Sequence, residues 1–287
     1  MSRTVTRDRF ATGTRIGDYV VERELRSEAT GLVYLTRHVV LPRHAAVKVM
    51  HGEHGYQKHL AVQMLREACL VEALSHPGIP RVYECGVLPD RRPWTAFEHV
   101  DGEPLAESIG DIPLPVADVV VMIRDVADIL DHIHQRGIAH RHVAPASIIR
   151  APGRRFAVTL VQWGEACTLD TADSEVDPKD DVHELGRIAF RALTGSVAST
   201  NESSTERYPG APGEVASLID LMMADRRRRP SSADVRDRAK WLSDTLEILT
   251  VEPARWAPQS IVPEAIPEVE DVGGGFSIRI SGRTRTR

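Results

Sequence analysis

His140-Arg141-His142-Val143-Ala144-Pro145-Ala146-Ser147-Ile148 lies between two segments of opposite character. Before it, Val119, Met122, Ile123, Val126, Ile129, Leu130 and Ile133 recur at the spacing of a long helix with one apolar face, ending near Gly137. After it, Ile148-Ile149 and Ala157-Val158-Thr159-Leu160-Val161 flank Ala151-Pro152-Gly153-Arg154, a turn composition that predicts a hairpin. The stretch therefore reads as a loop between a scaffold helix and a hairpin. It carries two imidazoles and a guanidinium, but no carboxylate, lysine or asparagine.

The loop resembles the protein kinase catalytic loop, H-R-D-L-K-P-x-N, with His142, Ala144 and Ser147 at the Asp, Lys and Asn positions. Other landmarks of the bacterial Ser/Thr branch follow in order. Asp18 to Leu25 and Gly31 to Leu35 resemble the hairpin over the nucleotide, and Ala45-Ala46-Val47-Lys48 the strand with the phosphate-pairing lysine. Arg66-Glu67-Ala68 lies in the helix that supplies that lysine's partner, and Ser75-His76-Pro77-Gly78-Ile79 comes next. Gln162-Trp163-Gly164 occupies the D-F-G position, Asp181 to Gly186 the start of the large central helix, and Arg229-Pro230-Ser231 closes the match, which spans roughly residues 18 to 249.

Composition is compatible with this. A chain of 287 residues with 42% hydrophobic content can build two lobes with a sizeable core. The net charge of −5 argues against a nucleic-acid partner, because phosphate contacts need a basic surface. Cys69, Cys85 and Cys167 are odd in number and in no metal-ligand pattern, which suits reduced thiols and a cytoplasmic setting. No run of about 18 apolar residues occurs, so the expectation is a soluble chain without a membrane span.

The expected fold is α+β and bilobal. A polar segment (1–17) precedes a kinase-like domain (18–249). Its N-lobe (18–100) has five strands, at 18–25, 31–39, 45–50, 81–87 and 93–98, and one helix; its C-lobe (101–249) is mainly helical. In the single N-lobe helix, Leu60, Met64, Ala68 and Val71 repeat at helical spacing, and Glu67 borders that stripe, which aims its carboxylate at Lys48. Asp181 with Glu184 and Ser231 with Asp234 read as capping boxes; the resemblance also gives Asp181 the role of bracing the catalytic loop. Residues 250–287 read as a Pro-rich acidic linker and an Arg-ended, disordered tail, within which Phe276 to Ile280 alternates like a strand.

The resemblance implies a nucleotide pocket made by Leu25, Gly31, Val33, Ala46, Lys48, Glu67, Glu98, Val100 and Ile149, with bulky Phe97 at its back. It implies structural roles for His140, Arg141, Trp163, Gly164, Asp181 and Arg229. It also exposes what is missing. Gln162 and Ser147 replace the two magnesium ligands with neutral groups that hold a hard dication poorly. Arg26 and Glu28 stand where the glycine loop needs glycines, and Glu28 would repel a triphosphate. Only Glu165 to Asp180 separate Gly164 from Asp181, and no A-P-E follows, so the activation loop and the peptide shelf are cut short.

These departures lead to the expectation of a catalytically inactive pseudokinase with no catalytic residue. It would act as a scaffold or allosteric regulator of a protein partner, such as a kinase or a signalling complex. No metal is expected, and ATP or another adenine nucleotide held without metal is the only cofactor left open. The alternative is an atypical or weakly active Ser/Thr kinase, or another ATP-dependent transferase, that uses Lys48 and Glu67. A third reading makes the folded part an anchor for a functional tail.

Overall fold

The computed structural model describes residues 9–52, 57–154, 156–169, 176–198, 203–249, 268–272 and 275–279. The chain divides into two units, Met1–Ala254 and Arg255–Arg287.

The first unit opens with a six-stranded antiparallel sheet. Its strands are β1 (Arg15–Ile16), β2 (Tyr19–Ser27), β3 (Gly31–His38), β4 (His44–Met50), β5 (Val82–Val87) and β6 (Pro93–Glu98), in the order β1-β2-β3-β4-β6-β5. Helix α1 (Lys58–Glu72), the single helix of this lobe among the described residues, falls between β4 and β5. Strand side chains alternate between faces, and one face gathers Tyr19, Val21, Leu32, Tyr34, Val47 and Trp94 into a closed apolar cluster with Ile16. That leaves Val33, Ala46 and Lys48 on the opposite face, along the cleft. One strand more than expected is present. Arg15–Ile16 pairs with Tyr19–Val20, Ile16 is fully buried, and Phe10 packs edge-on against Tyr34 at 5.8 Å. The boundary expected at 17/18 thus cuts through the sheet, because the apolar Phe10 and Ile16 were hidden within a stretch read as polar.

The second lobe is helical around α3. In chain order it contains β7 (Glu103–Pro104), α2 (Leu105–Ser108), α3 (Val116–His134), β8 (Ile138–Ala139), β9 (Ile148–Arg150), β10 (Val158–Leu160), β11 (Cys167–Thr168), α4 (Lys179–Thr194), α5 (Ser204–Arg207), α6 (Gly213–Met223) and α7 (Ser232–Leu249). The periodic residues of α3 are all buried, from Val119 to Ile133, against α4 and α7. Each such side chain contributes about 1.5–3 kcal/mol. The α3–α7 contact also carries an ion pair between Asp131 and Arg236. The predicted hairpin is present as β9 and β10, registered Ile148 to Leu160.

The two capping boxes fare differently. Ser231 Oγ accepts from the Asp234 amide (3.2 Å) while Asp234 accepts from the Ser231 amide (3.1 Å), a reciprocal cap for α7. Asp181 caps nothing: α4 begins two residues earlier, after Pro178, and Asp181 is inside it and buried. The second unit contains β12 (Glu268–Val272) and β13 (Gly275–Arg279), an antiparallel hairpin whose second strand takes in most of the Phe276 to Ile280 stretch that alternates like a strand. The start of the polar N-terminal segment (1–8), part of the shortened stretch after Gly164 (170–175), residues 199–202, the Pro-rich linker (250–267) and the Arg-ended terminus (280–287) lie outside the described residues.

Candidate functional site

Between the sheet and the helical lobe lies a cleft of about 640 Å³, within the range of small-molecule sites. Leu25, Val33, Ala46, Lys48, Glu67, Glu98, Val100 and Ile149 all line it, together with Phe97, Gln162 and Trp163. Gly31 does not. A Cβ on Gly31 would come within 2.3 Å of the Val49 carbonyl, so its lack of a side chain serves the close approach of β3 to β4.

Lys48 is the electrostatic centre. Its side chain is 2% exposed, and its Nζ reaches Glu67 Oε2 at 2.7 Å and Glu28 Oε2 at 2.8 Å. Glu28 Oε1 in turn accepts from Arg26 Nε at 2.7 Å. Burial opposes charge on Lys48, but the two carboxylates outweigh it and its pKa is raised. Burial also works on Glu28, where Lys48 and Arg26 prevail and its pKa is lowered. Glu67 is deeper and shares its cation, so burial wins and its pKa is raised. The Glu67 position follows from the α1 stripe, which buries Met64, Glu67, Ala68 and Val71 together. One turn earlier on the same helix, Gln63 Nε2 donates to the Gly164 carbonyl at 3.1 Å and ties α1 to the Gln162-Trp163-Gly164 turn.

The loop below the cleft is braced by Asp181. Its carboxylate accepts from the amides of His140 (2.8 Å) and Arg141 (2.7 Å) and meets His134 Nε2 at 2.9 Å. His134 Nδ1 lies 2.9 Å from Ser232 Oγ, so α3, α4, α7 and the loop are bound in one network. These bonds hold Arg141 at φ +62°, a left-handed conformation that costs free energy in a non-glycine residue. His140 is fully buried and edge-on to Trp163 at 4.6 Å, and Trp163 Nε1 donates to the Leu160 carbonyl. Burial drives the His140 pKa down to about 4, against the pull of Asp181. Arg229 closes the lobe on the Ala224 and Lys179 carbonyls and on Asp180 at 2.8 Å.

The four degenerate positions are also placed. Ser147 is buried, and its Oγ is engaged with the Ala144 amide (2.9 Å) and the His142 and Ala144 carbonyls (3.0 and 2.9 Å), a staple internal to the loop. Gln162, at φ +67°, donates to the Ala146 carbonyl at 3.3 Å. Both stand-ins for metal ligands are neutral and bonded within the protein, so this residue set does not fit a divalent cation. Ala144 has no polar side-chain atom. His142 is exposed and lines a second cavity of about 570 Å³ with Arg141, Asp177, Asp180, Asp181 and Glu184.

Sequence reasoning missed the Glu28–Lys48 and Arg26–Glu28 pairs and the His134–Ser232 link. It treated Glu28 only as an obstacle to phosphate; its proximity to Lys48 depends on the β2–β3 turn, which no spacing rule specifies.

Two lobes, a lysine–glutamate pair in the cleft and an aspartate-braced loop beneath it define a kinase-type fold. The protein kinase domain profile matches residues 19–192, more than half of the chain, and the chain belongs to that family. It is 32% identical over 211 residues to the serine/threonine-protein kinase PknJ of Mycobacterium tuberculosis, covering 66% of this chain and 36% of PknJ. It is 25% identical over 309 residues to Pkn1 of Myxococcus xanthus, also a serine/threonine-protein kinase, covering 96% of this chain and 44% of Pkn1. The chain thus spans less than half the length of these relatives. Among solved structures, the M. tuberculosis PknI kinase domain superimposes with a TM-score of 0.65 at 25% identity, over 81% of this chain and 99% of that one. These findings overturn the expectation that the protein is not an enzyme: the relatives are named serine/threonine-protein kinases, and the chain shares their kinase domain family. No helix among the described residues is long and apolar enough to cross a membrane.

Proposed function

We propose that the protein is an atypical, slow phosphotransferase of the serine/threonine kinase type, with an adenine nucleotide as donor. The observation that carries this reading is the closed Lys48–Glu67 pair at 2.7 Å, inside a cleft lined by the residues expected to sandwich adenine. The pair ties β4 to α1, and a kinase needs that arrangement before its lysine can meet a nucleotide's phosphates. The relatives named as serine/threonine kinases support the same class.

Val33, Ala46 and Ile149 supply apolar contacts for a planar ring, and Glu98 and Val100 line the same cleft. Lys48 neutralises phosphate charge. His142, at the position of the family's hydroxyl-orienting carboxylate, is the group on this loop able to take a proton from an incoming hydroxyl. The hydroxyl oxygen bonds to the γ-phosphorus, the bridging bond to the β-phosphate breaks, and ADP leaves. No step runs through a metal, because Gln162 and Ser147 do not fit one. Losing metal stabilisation costs several kcal/mol of barrier, so the rate falls well below the usual 1–100 s⁻¹ of kinases.

The exposed free Cys69 and Cys85 suit the reducing cytoplasm, where ATP is also available. The test is γ-labelled ATP with magnesium, with manganese and with chelator, followed by identification of the labelled residues. Label on Ser or Thr of the chain or of an added peptide supports the proposal; no label under all three conditions contradicts it.

A further inference from the structure

Two carboxylates compete for one lysine in the cleft. Glu67 comes from α1. Glu28 comes from the turn between β2 and β3, where its amide donates to the Gly31 carbonyl (2.8 Å) and its carbonyl meets His51 Nε2 (2.9 Å). The backbone of Glu28 is therefore anchored, and its side chain bridges Arg26 and Lys48 at 2.7 and 2.8 Å. With Arg26, Glu28, Lys48 and Glu67 all ionised, the quartet is formally neutral. A phosphate chain entering it brings several negative charges beside Glu28 and needs the place on Lys48 that Glu28 fills. If Glu28 leaves Lys48 it still has Arg26, so its carboxylate has a second resting position and is not left unpaired.

We propose that Glu28 is a built-in competitor for the nucleotide's phosphates. As folded, the cleft accepts adenosine or a similarly uncharged adenine ligand ahead of ATP, and ATP engages Lys48 only when Glu28 retreats onto Arg26. This deepens the proposed function and rests on the reading of the cleft as an adenine site. It makes Glu28 the residue that sets how many phosphates the site tolerates.

The test is calorimetric titration of the full chain with adenosine and with ATP, both in chelator, for the wild type, Glu28→Gln and Arg26→Gln. In the wild type, adenosine should bind at least as tightly as ATP. Glu28→Gln should strengthen ATP binding by roughly tenfold or more, the scale of one like charge removed from a partly screened site, with little change for adenosine. Arg26→Gln, which leaves Glu28 only Lys48, should weaken ATP binding further. Adenosine binding by each variant confirms that it is folded. ATP binding more tightly than adenosine in the wild type, or an unchanged ATP affinity in Glu28→Gln, overturns the inference. Labelled-phosphate transfer alongside that unchanged affinity would leave the kinase reading standing. Absence of any binding by the wild type removes the adenine-site reading and the inference with it.

Discussion

At the scale of single residues the cleft is decided by Lys48. Removing one partner from a buried ion pair strands the other charge, at a cost of about 3–5 kcal/mol. Lys48→Met should therefore lower unfolding stability by about that much in urea, and adding Glu67→Gln and Glu28→Gln to it should restore most of the loss. A triple variant as unstable as the single one would show that these side chains do not act as one unit. His140 supplies a pH test. Burial lowers its folded pKa to about 4, against an unfolded value near 6.5. The unfolded chain takes up the proton first, so this contribution is fully present above about pH 6.5, declines as the pH falls toward 4, and is gone below that. At about 1.4 kcal/mol per unit, its size is roughly 3.5 kcal/mol. Asp181, whose pKa is lowered, adds loss in the same direction at still lower pH. Chemical denaturation from pH 7.5 to 4 should show this decline in the wild type and a flatter curve in His140→Phe.

At the scale of elements, local propensity and packing can be set against each other. Gly186 sits inside α4, where alanine is intrinsically better by up to about 1 kcal/mol. A Cβ there would lie 2.8 Å from Met222 Cβ and 3.2 Å from the Met222 carbonyl carbon, which cannot swing away. Overpacking of this kind costs about 1–3 kcal/mol, so Gly186→Ala should destabilise, by about 1 kcal/mol in thermal or urea unfolding. A gain would mean that α4 and α6 can separate freely. The reciprocal cap of α7 gives a smaller effect: Ser231→Ala should cost about 1 kcal/mol. Elements were read well from the sequence wherever periodicity was sustained. The faces of α1 and α3 and the strands β2 to β6 follow directly from it, and with them the direction of Glu67. Short elements carry no such signal, and β1 is two residues long. Asp181 shows the limit of motif reading, since D-x-x-E fits a cap as well as it fits the first turn of α4, and only the buried amides of His140 and Arg141 distinguish them.

At the scale of the whole molecule, the order of landmarks along the chain made the bilobal architecture legible, because each landmark marks a distinct element. The site was legible in part. Its apolar walls were legible through the resemblance, and the direction of Glu67 toward Lys48 through one helical stripe. The Glu28 contact and the His134–Asp181 network join residues far apart in sequence or set by turn geometry. The substitutions at His142, Ala144, Ser147 and Gln162 were visible from the outset, but a missing group cannot by itself reveal what the remaining groups accomplish. The lysine–glutamate pair, as a working unit, therefore carries the functional reading. Its most direct test is the initial rate of phosphate transfer from ATP by the wild type, Lys48→Arg, Glu67→Gln and the double variant. The prediction is a measurable wild-type rate, a comparable drop in each single variant and no further drop in the double, as expected of two residues that act as one. A wild-type rate indistinguishable from zero, or one unchanged in Lys48→Arg, would contradict it.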